Sequence, residues 1–137
     1  MKTQIFDIDG TIVKYHTNEW IEGAKEYIIK CFNSGDRIIF ITMRDEIRDK
    51  NEIWSVENTK NIILKELDNL NIKYDILWNV PSPRILHDDS PIIRDKRMTN
   101  QKYDGKSVLH KDYLEYVNFW FTPEGVDWNK YDINNKI

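Results

Sequence analysis

Two carboxylates at the end of a short apolar run constrain this chain more than any other feature. The run is Ile5-Phe6-Asp7-Ile8-Asp9-Gly10-Thr11-Ile12-Val13, in which β-branched and aromatic residues predict a strand that ends at Gly10-Thr11. Asp7 and Asp9 are two positions apart, so on a strand their side chains point the same way. Like charges that share one site repel each other, and a bound cation would relieve the repulsion. The alternative is a strand followed by an Asx-type turn, with both carboxylates solvated.

Length and composition predict one soluble domain. The chain has 137 residues, enough for one core and too few for two. No apolar run approaches the length of a membrane span, and Met1-Lys2-Thr3 shows no signal-peptide pattern, so we expect no signal peptide. We therefore expect a cytoplasmic protein that does not associate with membranes. The single cysteine, Cys31, falls in an apolar helical pattern and is expected to be a small core residue.

The apolar pattern alternates between strands and helices. Apolar residues at helical spacing predict helices over about 21–33 and 56–71, and Gly35 follows the first as a C-cap glycine. Short apolar runs predict strands at 37–41, covered on both faces, at 74–78, and at 84–89 after a proline-rich turn. The polar segments 14–20 and 45–56 are predicted loops. This order predicts an α/β fold with right-handed crossovers and active residues at the carboxyl ends of the strands.

The C-terminal third gives weaker predictions. A final strand is expected at Lys106-Ser107-Val108-Leu109, and Asp112 to Phe121 is either a helix or an aromatic segment. Aromatic residues there favour a packed lid over the sheet edge, with a stacking platform for bases as the alternative. The net charge of -3 argues against unspecific binding of nucleic acid over the whole surface. A local basic patch between Arg84 and Lys106 is left open beside an ordinary solvated face.

The run around Asp7 resembles motif I of the haloacid dehalogenase (HAD) phosphatase superfamily. The motif reads apolar-Asp-x-Asp-Gly-Thr-apolar, and the chain matches it at every position. The resemblance implies that Asp7 is a nucleophile that forms an aspartyl-phosphate, and that Asp9 is the general acid and base. It also implies that Gly10 contacts the phosphate. The segment 14–20 would be the flap that follows motif I, where His16 could touch substrate.

A second resemblance follows the second predicted strand. Ile41-Thr42-Met43-Arg44 resembles the Thr-x-Arg form of motif II. The resemblance implies that the Thr42 hydroxyl and the main-chain N–H of Met43 bind the transferring phosphoryl group. In isolation a threonine here would be read as a cap of the next segment, but its position after motif I favours the motif.

Asp88 and Asp89 end the last apolar run and resemble motif IV, the acidic pair that holds Mg²⁺. The resemblance implies an Mg²⁺ site formed by Asp7, by Asp9 through its main-chain carbonyl, and by Asp88 or Asp89. Carboxylates are the hard oxygen ligands that Mg²⁺ takes. One cysteine and no clustered histidines argue against zinc.

One expected residue is missing. Small members of the superfamily present Gly-Lys-Pro before motif IV, and that lysine steadies the nucleophile and the phosphate. This chain has Asn79-Val80-Pro81, so Val80 stands where the lysine is expected. Arg84 follows the stiff turn Pro81-Ser82-Pro83 and is our candidate for a replacement cation that binds phosphate. Arg44 is the reserve candidate for the same role.

The resemblance covers about 3–91. It implies a three-layer α/β sandwich with a mostly parallel, Rossmann-like sheet of the HAD type and no cap domain, completed by 92–137. One functional hypothesis is an Mg²⁺-dependent phosphomonoesterase acting on a phosphorylated small molecule or a polynucleotide end. The other is a phosphate- or metal-binding protein with little turnover and an interaction role. Asp7 and Asp9 favour the enzyme, whereas Val80 favours the binding protein. A homo-oligomer is left open, because open sites can borrow a cap from a neighbouring subunit.

Overall fold

The chain divides into two compact units, Met1–Arg84 and Ile85–Ile137. A computed structural model describes residues 1–82 and 84 of the first unit, and the pairs 121–122 and 125–126 of the second. The prediction of one domain over 1–137 stays a prediction. Arg84, the expected start of a strand, lies outside any strand, and the rest of 84–89 is outside the described residues, as is the strand expected at 106–109.

Three parallel strands form the open sheet of the first unit. β1 (Thr3–Asp7), β2 (Arg37–Ile41) and β3 (Asp75–Leu77) lie side by side in that order. The register pairs Asp7 with Ile41 and Ile41 with Leu77, so the strands end level with one another. The predicted α/β class is confirmed as a small unit with an all-parallel sheet. β2 spans the predicted residues, whereas β3 lacks the first and last residues of its predicted strand.

Helix α1 (Ala24–Asn33) connects β1 to β2. It begins at Ala24 and not at the predicted residue 21, because Gly23 has a φ of 86°, a left-handed conformation outside the helix. The helix ends where predicted. Gly35, with a φ of 89°, donates its N–H to the carbonyl of Phe32 at 2.9 Å and closes the C-terminus.

The second predicted helix, 56–71, is a helical stretch with an irregular middle. α2 (Val56–Thr59) is followed by a π-helical turn, Lys60–Leu64, and then by α3 (Lys65–Asn69). Ser55 caps α2, since its side chain accepts a hydrogen bond from the N–H of Asn58 at 3.1 Å. The preceding segment 45–54 forms turns, as predicted for a loop. Thr59 lies at the junction between α2 and the π-helical turn.

The core lies on one face of the sheet. Phe6 and its register partner Phe40 are buried there, with ring centroids 5.9 Å apart. On the other face Ile5 and Leu77 are about half exposed, at 53% and 56%. In β2 itself Ile38 and Phe40 are buried and Ile39 and Ile41 are partly buried, so the predicted covering of both faces is confirmed only in part. Cys31 lies in the core, as predicted.

The second unit contributes one antiparallel strand pair to the described residues. β4 (Phe121–Thr122) pairs with β5 (Gly125–Val126), and Phe121 lies opposite Val126. Phe121 ends the segment that the sequence left open as a helix or an aromatic segment, and it lies in a strand. The other residues of that segment, and the basic candidates after Arg84, lie outside the described residues.

Candidate active site

The candidate site lies where the three parallel strands end. Asp7 is the last residue of β1, Thr42 follows β2, and Val80 lies three residues after β3. Main-chain hydrogen bonds hold the latter two segments together beyond the strands. Thr42 N–H donates to the carbonyl of Leu77 at 3.1 Å, and Val80 N–H donates to the carbonyl of Thr42 at 2.8 Å. Main-chain hydrogen bonds therefore fix the segments that follow β2 and β3 at the carboxyl edge of the sheet.

Asp7 is held by an arginine from the end of the first unit. Arg84 Nη1 donates to Asp7 Oδ1 at 2.9 Å, with the two side chains 22% and 31% exposed. Thr11 Oγ1 donates to the other oxygen, Oδ2, at 3.4 Å. Burial raises the pKa of Asp7 above its ordinary value, and the charge and hydrogen bond of Arg84 oppose that rise. The carboxylate therefore depends on Arg84 for compensation of its charge.

The segment that lacks the expected lysine positions Arg84. The carbonyl of Val80 accepts hydrogen bonds from Arg84 Nε at 3.2 Å and from Nη2 at 2.8 Å. Two donors on one carbonyl fix the plane of the guanidinium, and the third nitrogen, Nη1, then meets Asp7. The candidate replacement cation therefore contacts the candidate nucleophile. Its role in turnover stays a prediction.

Asp9 is paired with a different arginine. Arg44 Nε donates to Asp9 Oδ2 at 3.0 Å, and Arg44 Nη2 donates to Asp9 Oδ1 at 2.8 Å. The main-chain N–H of His16 also donates to Oδ1, at 3.1 Å. The two carboxylates of the Asp-x-Asp run are therefore held by separate guanidinium groups. Such bidentate pairing fixes the orientation of a carboxylate as well as its charge.

The other predicted phosphate contacts surround this edge. Thr42 is fully buried, and its Oγ1 accepts from the main-chain N–H of Arg44 at 3.0 Å. Met43 is 44% exposed, and its carbonyl accepts from Arg48. Gly10 has a φ of 77° and packs so closely on Tyr15 that a Cβ there would lie 2.6 Å from the phenol oxygen. That backbone conformation and close approach explain the glycine.

Sequence reasoning missed four residues of the site. Thr11 contacts Asp7, while Thr17, Asn18 and Thr59 contact the guanidinium of Arg44. Thr11 belongs to the Asp-x-Asp-Gly-Thr run, so its place near Asp7 was signalled. The others carry no local signal, because each meets Arg44 from a distant part of the chain.

The predicted Mg²⁺ ligands are described only in part. Asp88 and Asp89 lie outside the described residues. Within the part of the chain that the structure describes, no group of three or more His, Cys, Asp or Glu residues is arranged to hold a metal ion. Asp7 and Asp9 supply oxygen donors of the kind that Mg²⁺ takes, but both Asp9 carboxylate oxygens already accept hydrogen bonds. The expected use of the Asp9 main-chain carbonyl stays a prediction.

Comparison with known proteins adds little to this geometry. No protein-family model matches the chain, and no curated protein matches it. A crystal structure described as an MCSG target from Vibrio cholerae is similar, with a TM-score of 0.42 and 20% identity. The match covers 85% of this chain and 96% of the other. Among the described residues, no helix is both long and apolar enough to cross a membrane.

Proposed function

We propose that the chain is an Mg²⁺-dependent phosphomonoesterase that works through an aspartyl-phosphate on Asp7. The contact between Arg84 and Asp7 carries the proposal, because it supplies a cation at the nucleophile although Val80 replaces the usual lysine. The position of Asp7 and Thr42 at the carboxyl edge of a parallel sheet supports it, since ligands of open α/β sheets bind there. The proposal includes a three-layer sandwich of the HAD type without a cap domain.

The proposed reaction has two steps. An oxygen of the Asp7 carboxylate forms a bond to phosphorus while the bond from phosphorus to the leaving oxygen breaks. Asp9 gives a proton to that leaving oxygen, and the alcohol departs. Water then attacks the phosphorus and gives a proton to Asp9, while the bond between Asp7 and phosphorus breaks. The products are the alcohol and inorganic phosphate, and both carboxyl groups return to their starting states.

Charge compensation explains why Arg84 matters in this scheme. A phosphate dianion would join Asp7 and Asp9 at one edge of the sheet, and two unit charges 4 Å apart interact with about 4 kcal/mol at an effective dielectric of 20. Bound Mg²⁺, held by Asp7, the main-chain carbonyl of Asp9, and Asp88 or Asp89, would supply further positive charge there. The proposed phosphate contacts are Thr42, Met43, Gly10 and Arg84.

A second candidate function is a phosphate- or metal-binding protein with little turnover. Val80 favours it, because a hydrophobic side chain stands where the resemblance expects the lysine. The proposed substrates of the enzyme are phosphorylated small molecules or polynucleotide ends. The two candidate functions therefore differ in turnover.

A phosphate-release assay tests the proposal. The chain is incubated with Mg²⁺ and a panel of nucleotides, sugar phosphates and phosphorylated polynucleotide ends. We expect turnover by the parent, and a loss of about 100-fold or more in Asp7→Asn, whose amide is a poor nucleophile of similar shape. Retention of more than about a hundredth of the parent's rate would remove Asp7 as the nucleophile. If the parent is inactive and Val80→Lys creates turnover, the second candidate is correct.

A further inference from the structure

Arg44 uses every side-chain donor inside the protein. Its side chain is 1% exposed. Besides its two bonds to Asp9, Nη1 donates to Asn18 Oδ1 at 2.7 Å and to Thr59 Oγ1 at 2.8 Å, and Nη2 donates to the Thr17 carbonyl at 2.5 Å. A guanidinium has five N–H donors, so all of them are satisfied. A direct phosphate contact by Arg44 would require one of these bonds to break.

The contacts of Arg44 join three parts of the first unit at Asp9. Thr17 and Asn18 lie in the segment 14–20, the expected flap, and Thr59 is the last residue of α2. The main chain of Arg44 is fixed as well, since its N–H donates to Thr42 Oγ1 at 3.0 Å. The guanidinium therefore cannot turn without disturbing several elements. Its orientation sets that of the Asp9 carboxylate.

We propose that Arg44 is a positioning residue, which holds the Asp9 carboxylate at the angle needed for proton transfer and links that angle to the flap. This inference rests on the proposed function and concerns how the same site works. Arg44 acts through Asp9 and does not touch the substrate. A lysine in its place keeps the positive charge but cannot reproduce the planar two-point contact with the carboxylate.

Two substrates with different leaving groups distinguish a positioning role of Arg44 from a general contribution of Arg44 to the stability of the fold. An alkyl phosphate has a poor leaving group, so its hydrolysis needs the proton that Asp9 supplies. The leaving group of 4-nitrophenyl phosphate departs as a stable anion and needs that proton much less. A misplaced Asp9 should therefore lower kcat/KM for the alkyl ester selectively, because kcat/KM reports the step in which the leaving group departs. A smaller folded fraction lowers the apparent kcat/KM of both esters by the same factor.

The experiment measures kcat and KM of the parent, Arg44→Lys and Asp9→Asn for both esters, with Arg37→Lys as a matched control. Arg37 is exposed and paired with Asp75, away from the two carboxylates. In Arg44→Lys we expect kcat/KM for the alkyl ester to fall about tenfold or more beyond the fall for 4-nitrophenyl phosphate. Asp9→Asn should show the same selective loss. Arg37→Lys should leave both rates unchanged.

The outcomes distinguish this inference from the proposed function. Equal losses of kcat/KM on both esters in Arg44→Lys, with a selective loss in Asp9→Asn, overturn the positioning role and do not contradict the proposed phosphatase. A parent that hydrolyses neither ester, nor any compound of the panel, overturns both proposals. If Arg44→Lys is poorly folded by circular dichroism, the ratio of the two kcat/KM values still decides, because the folded fraction cancels in it.

Discussion

Arg84 Nη1 lies 2.9 Å from Asp7 Oδ1, across 77 positions of sequence. Both side chains are mostly buried, and the two other donating nitrogens of the guanidinium are bound by the carbonyl of Val80. The pair therefore has a fixed geometry and little exposure to screening by solvent, unlike a flexible surface ion pair. It connects the segment after β3 with the end of β1 at the candidate site.

Replacing Arg84 with alanine should lower turnover about tenfold or more, or about 1.4 kcal/mol of transition-state stabilisation. The physical reason is the uncompensated negative charge of Asp7 and the incoming phosphate. Because Arg84 lowers the pKa of Asp7, its loss should also move the acidic limb of the pH–rate profile to higher pH. Steady-state kinetics from acid to neutral pH measure both effects.

A matched substitution and a rescue control this prediction. Arg37→Ala removes an exposed guanidinium whose partner Asp75 is also exposed, so turnover should stay unchanged and stability should change by no more than about 1 kcal/mol. Adding Val80→Lys to Arg84→Ala should restore part of the lost turnover. Unchanged turnover in Arg84→Ala would mean that the contact with Asp7 has no catalytic role.

The Asp7→Asn substitution should stabilise the fold at neutral pH and less so at acid pH. Burial raises the pKa of Asp7 in the folded state, with Arg84 only partly opposing it, so the folded chain binds this proton more tightly than the unfolded chain. The ionised carboxylate therefore costs stability above the raised folded-state pKa. That cost disappears as the pH falls below about 4, which is the ordinary pKa of an aspartate side chain. Thermal unfolding of parent and variant at several pH values measures the difference.

Asp36 provides a control of opposite sign. Hydrogen bonds from the Gln4 side chain and the Lys2 main chain lower the pKa of Asp36. Its ionised form therefore contributes stability that is present above the ordinary pKa and lost as the pH falls through the lowered value. Asp36→Asn should accordingly destabilise the chain at neutral pH. A gap between parent and Asp7→Asn that does not change with pH would contradict the burial argument.

The location of the candidate site in the fold was predictable from the sequence, whereas its side-chain pairing was predictable only in part. Strand ends follow from apolar runs and the turn residues after them, so Asp7 and Thr42 could be placed at one edge of a parallel sheet. Arg84 could be proposed because a charge was missing nearby. Arg44 could not be assigned to Asp9, because no local pattern specifies a contact across 35 positions of sequence.

The boundaries of helices and strands were likewise predictable where nearby residues determine them and not where distant contacts do. The end of α1 is set locally by Gly35 and was predicted. Its start was misplaced because apolar spacing continues through Gly23, whose left-handed conformation interrupts the helix. The π turn at Lys60–Leu64 could not be anticipated, since one wider turn hardly changes the spacing of apolar residues. The stronger burial of one face of the sheet depends on what packs against it, which strand patterns do not reveal.

Calorimetric titration with Mg²⁺ tests the predicted metal ligands. We expect one Mg²⁺ to bind the parent, and an Asp88→Ala, Asp89→Ala double variant to bind it much more weakly, because two candidate carboxylate ligands are lost. A control variant, Asp68→Ala, removes a carboxylate that accepts a hydrogen bond from Tyr74, which precedes β3 and so lies away from the carboxyl ends of the strands. It should bind Mg²⁺ like the parent. Equal affinity in the parent and the double variant would remove Asp88 and Asp89 from the site.

Gly10→Ala should destabilise the chain for two separable reasons. The φ of 77° is unfavourable for alanine by about 1–2 kcal/mol, and the new Cβ would lie 2.7 Å from Tyr15 Cε1 as well as near its hydroxyl. Gly35→Ala isolates the first reason, because φ is 89° there and no described atom lies within 4 Å of a new Cβ. In a double-mutant cycle, Tyr15→Ala should relieve part of the cost of Gly10→Ala. Urea unfolding measures the free energy of unfolding of the parent, the two single variants and the double variant. If the effects of the two substitutions simply add, the ring of Tyr15 moves aside in Gly10→Ala without cost.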